Sequence, residues 1–212
     1  MSNKLKAKKK DITGIILAGG CSTRMGTDKS LLRLGNGTVI EKVRDLMTEI
    51  FENVLLSTNN LEQHRFLGLE MVPDLYENRG PVSGIHASLI SSRTDKNFFL
   101  SCDLPLISKE IIRYIIDYDS PKQIVVPIVE GEIQPLCGVF RKSLIPLIEE
   151  MLGSSLLPEK ERGKSSASVK RLMEKADTAY INTEILNFFN DNLFFNMNTA
   201  SDYEIIKKKF TE

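Results

Sequence analysis

Gly14-Ile15-Ile16-Leu17-Ala18-Gly19-Gly20-Cys21-Ser22-Thr23-Arg24-Met25-Gly26-Thr27-Asp28-Lys29 joins an apolar run, short enough for a buried strand, to a loop of paired glycines, hydroxyls, an arginine and a lysine. Glycine lets backbone N–H groups approach phosphate oxygens closely and adopt left-handed dihedrals, while Arg24 and Lys29 add charge that amides alone lack. The segment therefore predicts a strand that opens into a nucleotide-holding loop. It is not a Walker A loop, because Asp28 and not glycine precedes Lys29-Ser30. Glycines at 14, 19, 20 and 26 also miss the Gly-x-Gly-x-x-Gly dinucleotide spacing.

Working outward, short β-branched or aromatic runs recur at 12–17, 53–57, 71–72, 98–101 and 124–127. Helical periodicity fills the intervals at 39–51, where Val43, Leu46, Met47 and Ile50 share a face, and at 84–92 and 109–118. Strand alternating with helix predicts an α/β fold, a doubly wound, mostly parallel sheet with helices on both faces. Ligands of such sheets bind beyond the carboxyl ends of the strands. Polar residues follow four of these strands directly: Ala18-Gly19-Gly20, Thr58-Asn59-Asn60, Pro73-Asp74 and Cys102-Asp103. After about residue 120 the pattern changes, and two runs around Gly131, 124–129 and 133–140, predict a hairpin that makes the sheet mixed. Residues 153–168 lack apolar periodicity and read as a mobile loop or lid. Thr199 and Asp202 have capping-box-like spacing ahead of a helix carrying Ile205 and Ile206.

The 212 residues, 42% of them hydrophobic, suffice for a single domain over 12–212, preceded by a basic tail, 1–11, expected to be disordered. Lysine plus arginine and aspartate plus glutamate both total 28, so no global field favours nucleic acid or a membrane surface. The tail lacks the apolar core of a secretory signal, and no later run approaches the roughly 18 apolar residues of a membrane span. Three widely spaced cysteines, Cys21, Cys102 and Cys137, fit a reducing, cytoplasmic setting better than a disulfide framework. With only His64 and His86 beside them, a structural zinc site is not expected. His86 reads as a packed or surface histidine.

Lys29 can reach phosphate as a compact point charge, and Arg24 can offer two oxygens a planar fork. Asp103, in Leu100-Ser101-Cys102-Asp103-Leu104-Pro105, ends an apolar run. Its local sequence suits two roles equally: a carboxylate for Mg²⁺, which takes hard oxygen ligands from one or two carboxylates plus substrate phosphates, or a turn or helix-capping aspartate. Its coincidence with the glycine loop favours the metal.

Leu-Ala-Gly-Gly at 17–20, followed by Ser22-Thr23-Arg24-Met25-Gly26 and Asp28-Lys29, closely resembles the signature of nucleotidyltransferases that activate a phosphate with a nucleoside triphosphate. Over roughly residues 12–208 the chain resembles the molybdenum cofactor guanylyltransferases. The resemblance implies a Rossmann-like nucleotidyltransferase fold and transfer of GMP from GTP to molybdopterin carrying molybdenum, with Mg²⁺ on Asp103 and pyrophosphate released. It places Leu17, Ala18, Gly19, Lys29, Asn59, Asp74 and Asp103 on the GTP, and Arg24, Lys29 and Asp103 in catalysis. Gly19-Gly20, where cytidylyl relatives read Ala-Gly, favours GTP over CTP. Arg79-Gly80-Pro81-Val82-Ser83-Gly84 is similar to the family's Gly-Pro-Leu-Ala-Gly turn, expected to set a helix start against the site. Gln134, and Asn196 and Asn198 in Asn196-Met197-Asn198-Thr199, are similar to acceptor-side positions, with Ala200 where the family has proline. Molybdoenzyme apoproteins are the implied recipients of the product. Alternatives are a cytidylyl or sugar-phosphate nucleotidyltransferase of the same fold, and a GTP-binding module without turnover. The joint presence of Arg24, Lys29 and Asp103 argues against the module.

Overall fold

A computed structural model describes residues 7–18, 28–77, 79–154, 167–190 and 192–210. In chain order the elements are β1 (Ile12–Leu17), β2 (Arg33–Leu34), β3 (Gly37–Thr38), α1 (Val39–Ile50), β4 (Val54–Ser57), α2 (Leu61–His64), β5 (Glu70–Val72), α3 (Pro81–Ser91), β6 (Lys96–Ser101), α4 (Lys109–Asp117), β7 (Ile124–Val129), β8 (Glu132–Ile133), β9 (Cys137–Arg141), α5 (Ile145–Ser154), α6 (Val169–Lys175), β10 (Thr178–Asn182) and α7 (Ala200–Lys209). Every residue of β1 is buried, which requires cover on both faces. Successive side chains of a strand point to opposite sides, so Ile12 and Ile16 enter one apolar cluster with α1 and α4, and Ile15 and Leu17 enter another with α3, α5 and α6. Each fully buried Ile or Leu contributes about 1.5–3 kcal/mol.

The main sheet runs β10-β7-β9-β6-β1-β4-β5, with β8 paired to β7. β1 pairs in parallel with β4 and β6, and β4 with β5. Leu17 lies opposite both Ser57 and Ser101, and Ser57 opposite Val72, so the four parallel strands finish on one line. β9 is antiparallel to both β6 and β7, while β10 runs parallel to β7. The mixed, mostly parallel sheet is the one expected, and helices cover both of its faces.

Two differences from expectation have local causes. The second hairpin arm is not continuous: Glu130 (φ 51°) and Gly131 (φ 78°) form a tight left-handed turn, β8 ends after two residues, and Gln134-Pro135-Leu136 steps across before β9 begins. Left-handed dihedrals at both central positions match the twist of a two-residue hairpin, and proline cannot donate to a strand ladder. α3 starts at Pro81, three residues earlier than periodicity suggests, because proline at the first helical position has its φ preset and an N–H that would be unpaired anyway.

α1 opens with a capping box, in which Thr38 accepts from the Glu41 amide and the Glu41 carboxylate accepts from the Thr38 amide. The basic tail is tied down where it meets the domain: Lys9 N–H donates to the Ile50 carbonyl at 2.8 Å, and Glu52 N–H to the Lys9 carbonyl at 2.9 Å. Residues 1–6 lie outside the described residues, as does 155–166 of the expected lid. At the borders of that segment α5 carries helix through Ser154, and Ser168 caps α6 by accepting from the Arg171 amide.

Candidate active site

Hydrogen bonds continue past the strand ends and hold the emerging segments side by side. Ala18 N–H donates to the Ser57 carbonyl (3.0 Å), Thr58 N–H to Val72 (3.0 Å), Cys102 N–H to Leu17 (3.1 Å) and Ser101 N–H to Leu136 (2.9 Å). Since β9 runs backwards, its start lies at the edge where the parallel strands stop. Gln134 thus joins Ala18, Asn59, Asp74 and Asp103 along one rim. Leu17 itself is buried on the side of α3.

On the β4–β5 side, Asn59 and Asp74 clasp each other. The Asn59 amide donates to the Asp74 carboxylate at 3.1 Å and its carbonyl accepts from the Asp74 amide at 2.8 Å. Burial raises the Asp74 carboxyl above its ordinary range, an effect the Asn59 amide partly offsets. α3 presses close from behind, where a Cβ on Gly84 would stand 2.6 Å from Ser57 Oγ and 3.4 Å from Asp74 Oδ1. Ser83 fastens this helix to the Asp74 loop, its hydroxyl donating to the Tyr76 carbonyl (2.7 Å) and accepting from the Tyr76 amide (3.3 Å). His86 on α3 is buried, edge-on to Tyr76 and 3.4 Å from Glu149, as a packed histidine.

Following the glycine-rich segment, Asp28 caps a single 3₁₀ turn, Lys29–Leu31, by accepting from the Ser30 amide (2.9 Å) and the Ser30 hydroxyl (2.7 Å). Side chains in such a turn diverge by about 120°. Ser30 goes inward, and Lys29 crosses to the far end of the chain, where its ammonium donates to the carbonyls of Asn198 (2.7 Å) and Met197 (3.3 Å). Met197 N–H in turn donates to the carbonyl of Asp103 at 2.9 Å. Lys29, Asp103 and the Asn196–Asn198 segment thus meet at one point. The charges of Asp103, Asp28 and Lys29 all act on the Cys102 thiol, which burial, foremost, pushes well above the usual thiol range. Cys137 is likewise raised by burial, so both thiols are packing groups rather than nucleophiles. Cys21 lies outside the described residues.

Asp103 does not cap α4; Ser108 does, accepting from the Ile111 amide. The Asp103 side chain is half-buried, and among the described residues no hydrogen bond or ion pair engages its carboxylate. Among the described residues no group of three or more His, Cys, Asp or Glu side chains forms a metal cage. A lone carboxylate suits Mg²⁺, which retains waters and takes much of its shell from phosphates. Ahead of α7, the Asn196 amide donates to the Phe194 carbonyl at 3.3 Å, and the Asn198 side chain is exposed. α7 begins directly after them without the family's proline. Its capping box, with Thr199 accepting from the Asp202 amide (3.1 Å) and Asp202 from the Thr199 amide (2.7 Å), fixes the backbone that proline would have preset.

Among the expected site residues, Lys29, Asp103, Asn196 and Asn198 come together at one junction, and Leu17, Ala18, Asn59, Asp74 and Gln134 share its rim. Gly19 and Arg24 lie outside the described residues. Sequence reasoning missed His64, which reaches from α2 to Thr58 Oγ1 (2.9 Å) and Ser30 Oγ (3.2 Å). The only signal was a histidine a few residues beyond a strand-ending Thr-Asn-Asn, in a helix too short to show a period.

No helix among the described residues is long and apolar enough to cross a membrane. Residues 14–179 match the family model described as MobA-like NTP transferase domain. A protein of Pelotomaculum thermopropionicum named "Probable molybdenum cofactor guanylyltransferase" is 36% identical over 90% of this chain and 89% of its own. One of the same name from Carboxydothermus hydrogenoformans is 32% identical over 95% and 98%. Among solved structures, the molybdopterin-guanine dinucleotide biosynthesis protein A of Archaeoglobus fulgidus superimposes with a TM-score of 0.77 over 94% of this chain and 98% of that one, at 19% identity, a likeness of fold. The arrangement of the sheet is thus shared with a solved structure of like fold, and the chain belongs to the MobA-like NTP transferase family.

Proposed function

We propose that this nucleotidyltransferase moves GMP from GTP to the terminal phosphate of molybdenum-carrying molybdopterin, forming the guanine dinucleotide cofactor and pyrophosphate. The observation that carries the reading is the junction itself. Lys29, reaching from the glycine loop, contacts the backbone of Asn198, and the same segment is bonded to Asp103. This convergence of a lysine, a carboxylate suited to Mg²⁺ and two asparagines supports a reading in which an attacking phosphate and a triphosphate meet there.

Asn59 and Asp74 bind the nucleoside, a carboxylate being able to accept from guanine N–H or ribose O–H donors. Asn196, Asn198 and Gln134 orient the acceptor, whose phosphate is already an anion and needs no base. Negative charge grows on the leaving pyrophosphate and the equatorial oxygens, and the cations Lys29 and Arg24 would stabilise it more in the transition state than in the ground state. Mg²⁺, held by Asp103, would neutralise further charge across the phosphates.

The test incubates the protein with molybdopterin, Mg²⁺ and each nucleoside triphosphate while pyrophosphate release is followed. GTP is expected to support turnover and CTP to be at least tenfold poorer. Asp103→Asn is expected to lower kcat by about 10²–10³-fold while nucleotide affinity is partly kept. Equal rates with CTP would overturn the donor, and an unchanged Asp103→Asn rate would overturn the metal assignment.

A further inference from the structure

The geometry points to His64 as a positioning residue that aims Lys29, by clamping the turn that carries the lysine to the end of β4. The inference rests on the role proposed above for Lys29. His64 is 1% exposed, and its ring spans two segments that are far apart in sequence, Thr58 behind β4 and Ser30 behind the glycine loop. The network fixes the direction of each bond. Ser30 O–H donates to Asp28 Oδ1 (2.7 Å), which leaves the hydroxyl oxygen to accept from His64 Nε2–H (3.2 Å). Nδ1 then accepts from the Thr58 hydroxyl at 2.9 Å, and Thr58 Oγ1 also accepts from the Asn60 amide at 3.1 Å. Gln63, beside His64 on α2, donates to the other Asp28 oxygen at 2.7 Å. One oxygen of the capping aspartate is thereby held by α2 directly and the other by Ser30, which His64 holds in turn.

The chain of contacts has a consequence for Lys29. Asp28 and Ser30 flank it, and both are gripped, so the side chain between them has one exit direction, toward Asp103 and the acceptor segment. A long, four-carbon side chain costs rotamer entropy to immobilise, and a base that does not shift lets its hydrogen bonds hold it. A misplacement of about 1 Å at the phosphate can cost on the order of 10²-fold in rate. His64 touches no reacting atom in this account; it acts through Ser30.

The two ring nitrogens can be separated by substitution, since glutamine sets its amide near Nε2 and asparagine near Nδ1. His64→Gln keeps the link to Ser30 and is expected to hold kcat within about threefold of wild type. His64→Asn keeps only the link to Thr58 and is expected to lower kcat ten- to a hundredfold with KM for GTP within about threefold. Ser30→Ala, which leaves α2 intact, is expected to lower kcat in the same range and decides the matter if the His64 variants do not fold. Equal kcat values for the Gln and Asn variants, or a Ser30→Ala rate within twofold of wild type, would overturn the inference while wild-type turnover with GTP still stands. Failure of the wild type to release pyrophosphate from GTP would instead remove the reading on which it rests.

Discussion

Asp74 is held at a cost to the fold. Its carboxyl is raised by burial, so the folded state binds that proton more tightly than the unfolded chain does. Its contribution therefore improves as pH falls through the raised folded value toward the ordinary 3.8, and is least favourable at neutral pH. Asp74→Asn removes the buried charge while leaving an oxygen for Asn59; a small rise in melting temperature at pH 7, with weaker GTP binding by calorimetry, is the expected pair of results. His64 works in the opposite sense. Burial lowers its pKa despite the nearby Asp28 carboxylate, so its stabilising contribution is complete above the ordinary 6.5 and is lost as pH falls below it toward the lower folded value. Thermal melts of wild type and His64→Gln between pH 7.5 and 5 are expected to converge as the pH drops. Asp103 could be singled out because it comes just after β6, and Lys29 because it closes the glycine-rich segment after β1; that both meet the backbone of residue 197 could not be read, because that residue lies far along the chain. His64 was not, since its role depends on two hydroxyls brought to it from 34 residues before and 6 residues before in the chain.

Among the elements, α3 shows how tightly the ends of β4 and β5 are packed. Alanine at Gly84 would set a methyl 2.6 Å from Ser57 Oγ, against a strand end and beside Asp74. Gly84→Ala is expected to destabilise by about 1–3 kcal/mol and to raise KM for GTP more than it lowers kcat, measured by denaturant melts and steady-state kinetics. Strands β1, β4 and β6 could be read from composition because both faces are buried and the run is short. The broken arm between β8 and β9 could not, because 133–140 is largely apolar and the pairing that begins at Cys137, opposite Leu100, shows which part joins β6. α5 and α6 were equally hidden, being short and set beside a polar stretch that suggested a loop.

For the molecule as a whole, a third apolar cluster of Leu34, Val39, Met197 and Ile206 binds the β2–β3 hairpin to α7. Met197, fully buried there, presents its flanking asparagines to the rim. Met197→Ala is expected to cost about 2–5 kcal/mol and to raise KM for molybdopterin while leaving GTP affinity within a few-fold, a split that equilibrium GTP binding and acceptor titration would reveal. Strands β1, β4, β5 and β6 lie within the first half of the chain, whereas Asp103 and Lys29 meet the backbone of residues 197 and 198 near its end. A chain cut short before residue 197 would keep β1, β4, β5 and β6 but lack both the carbonyls that receive the Lys29 ammonium and the amide that bonds to Asp103, and on the function proposed above it is expected to lose turnover.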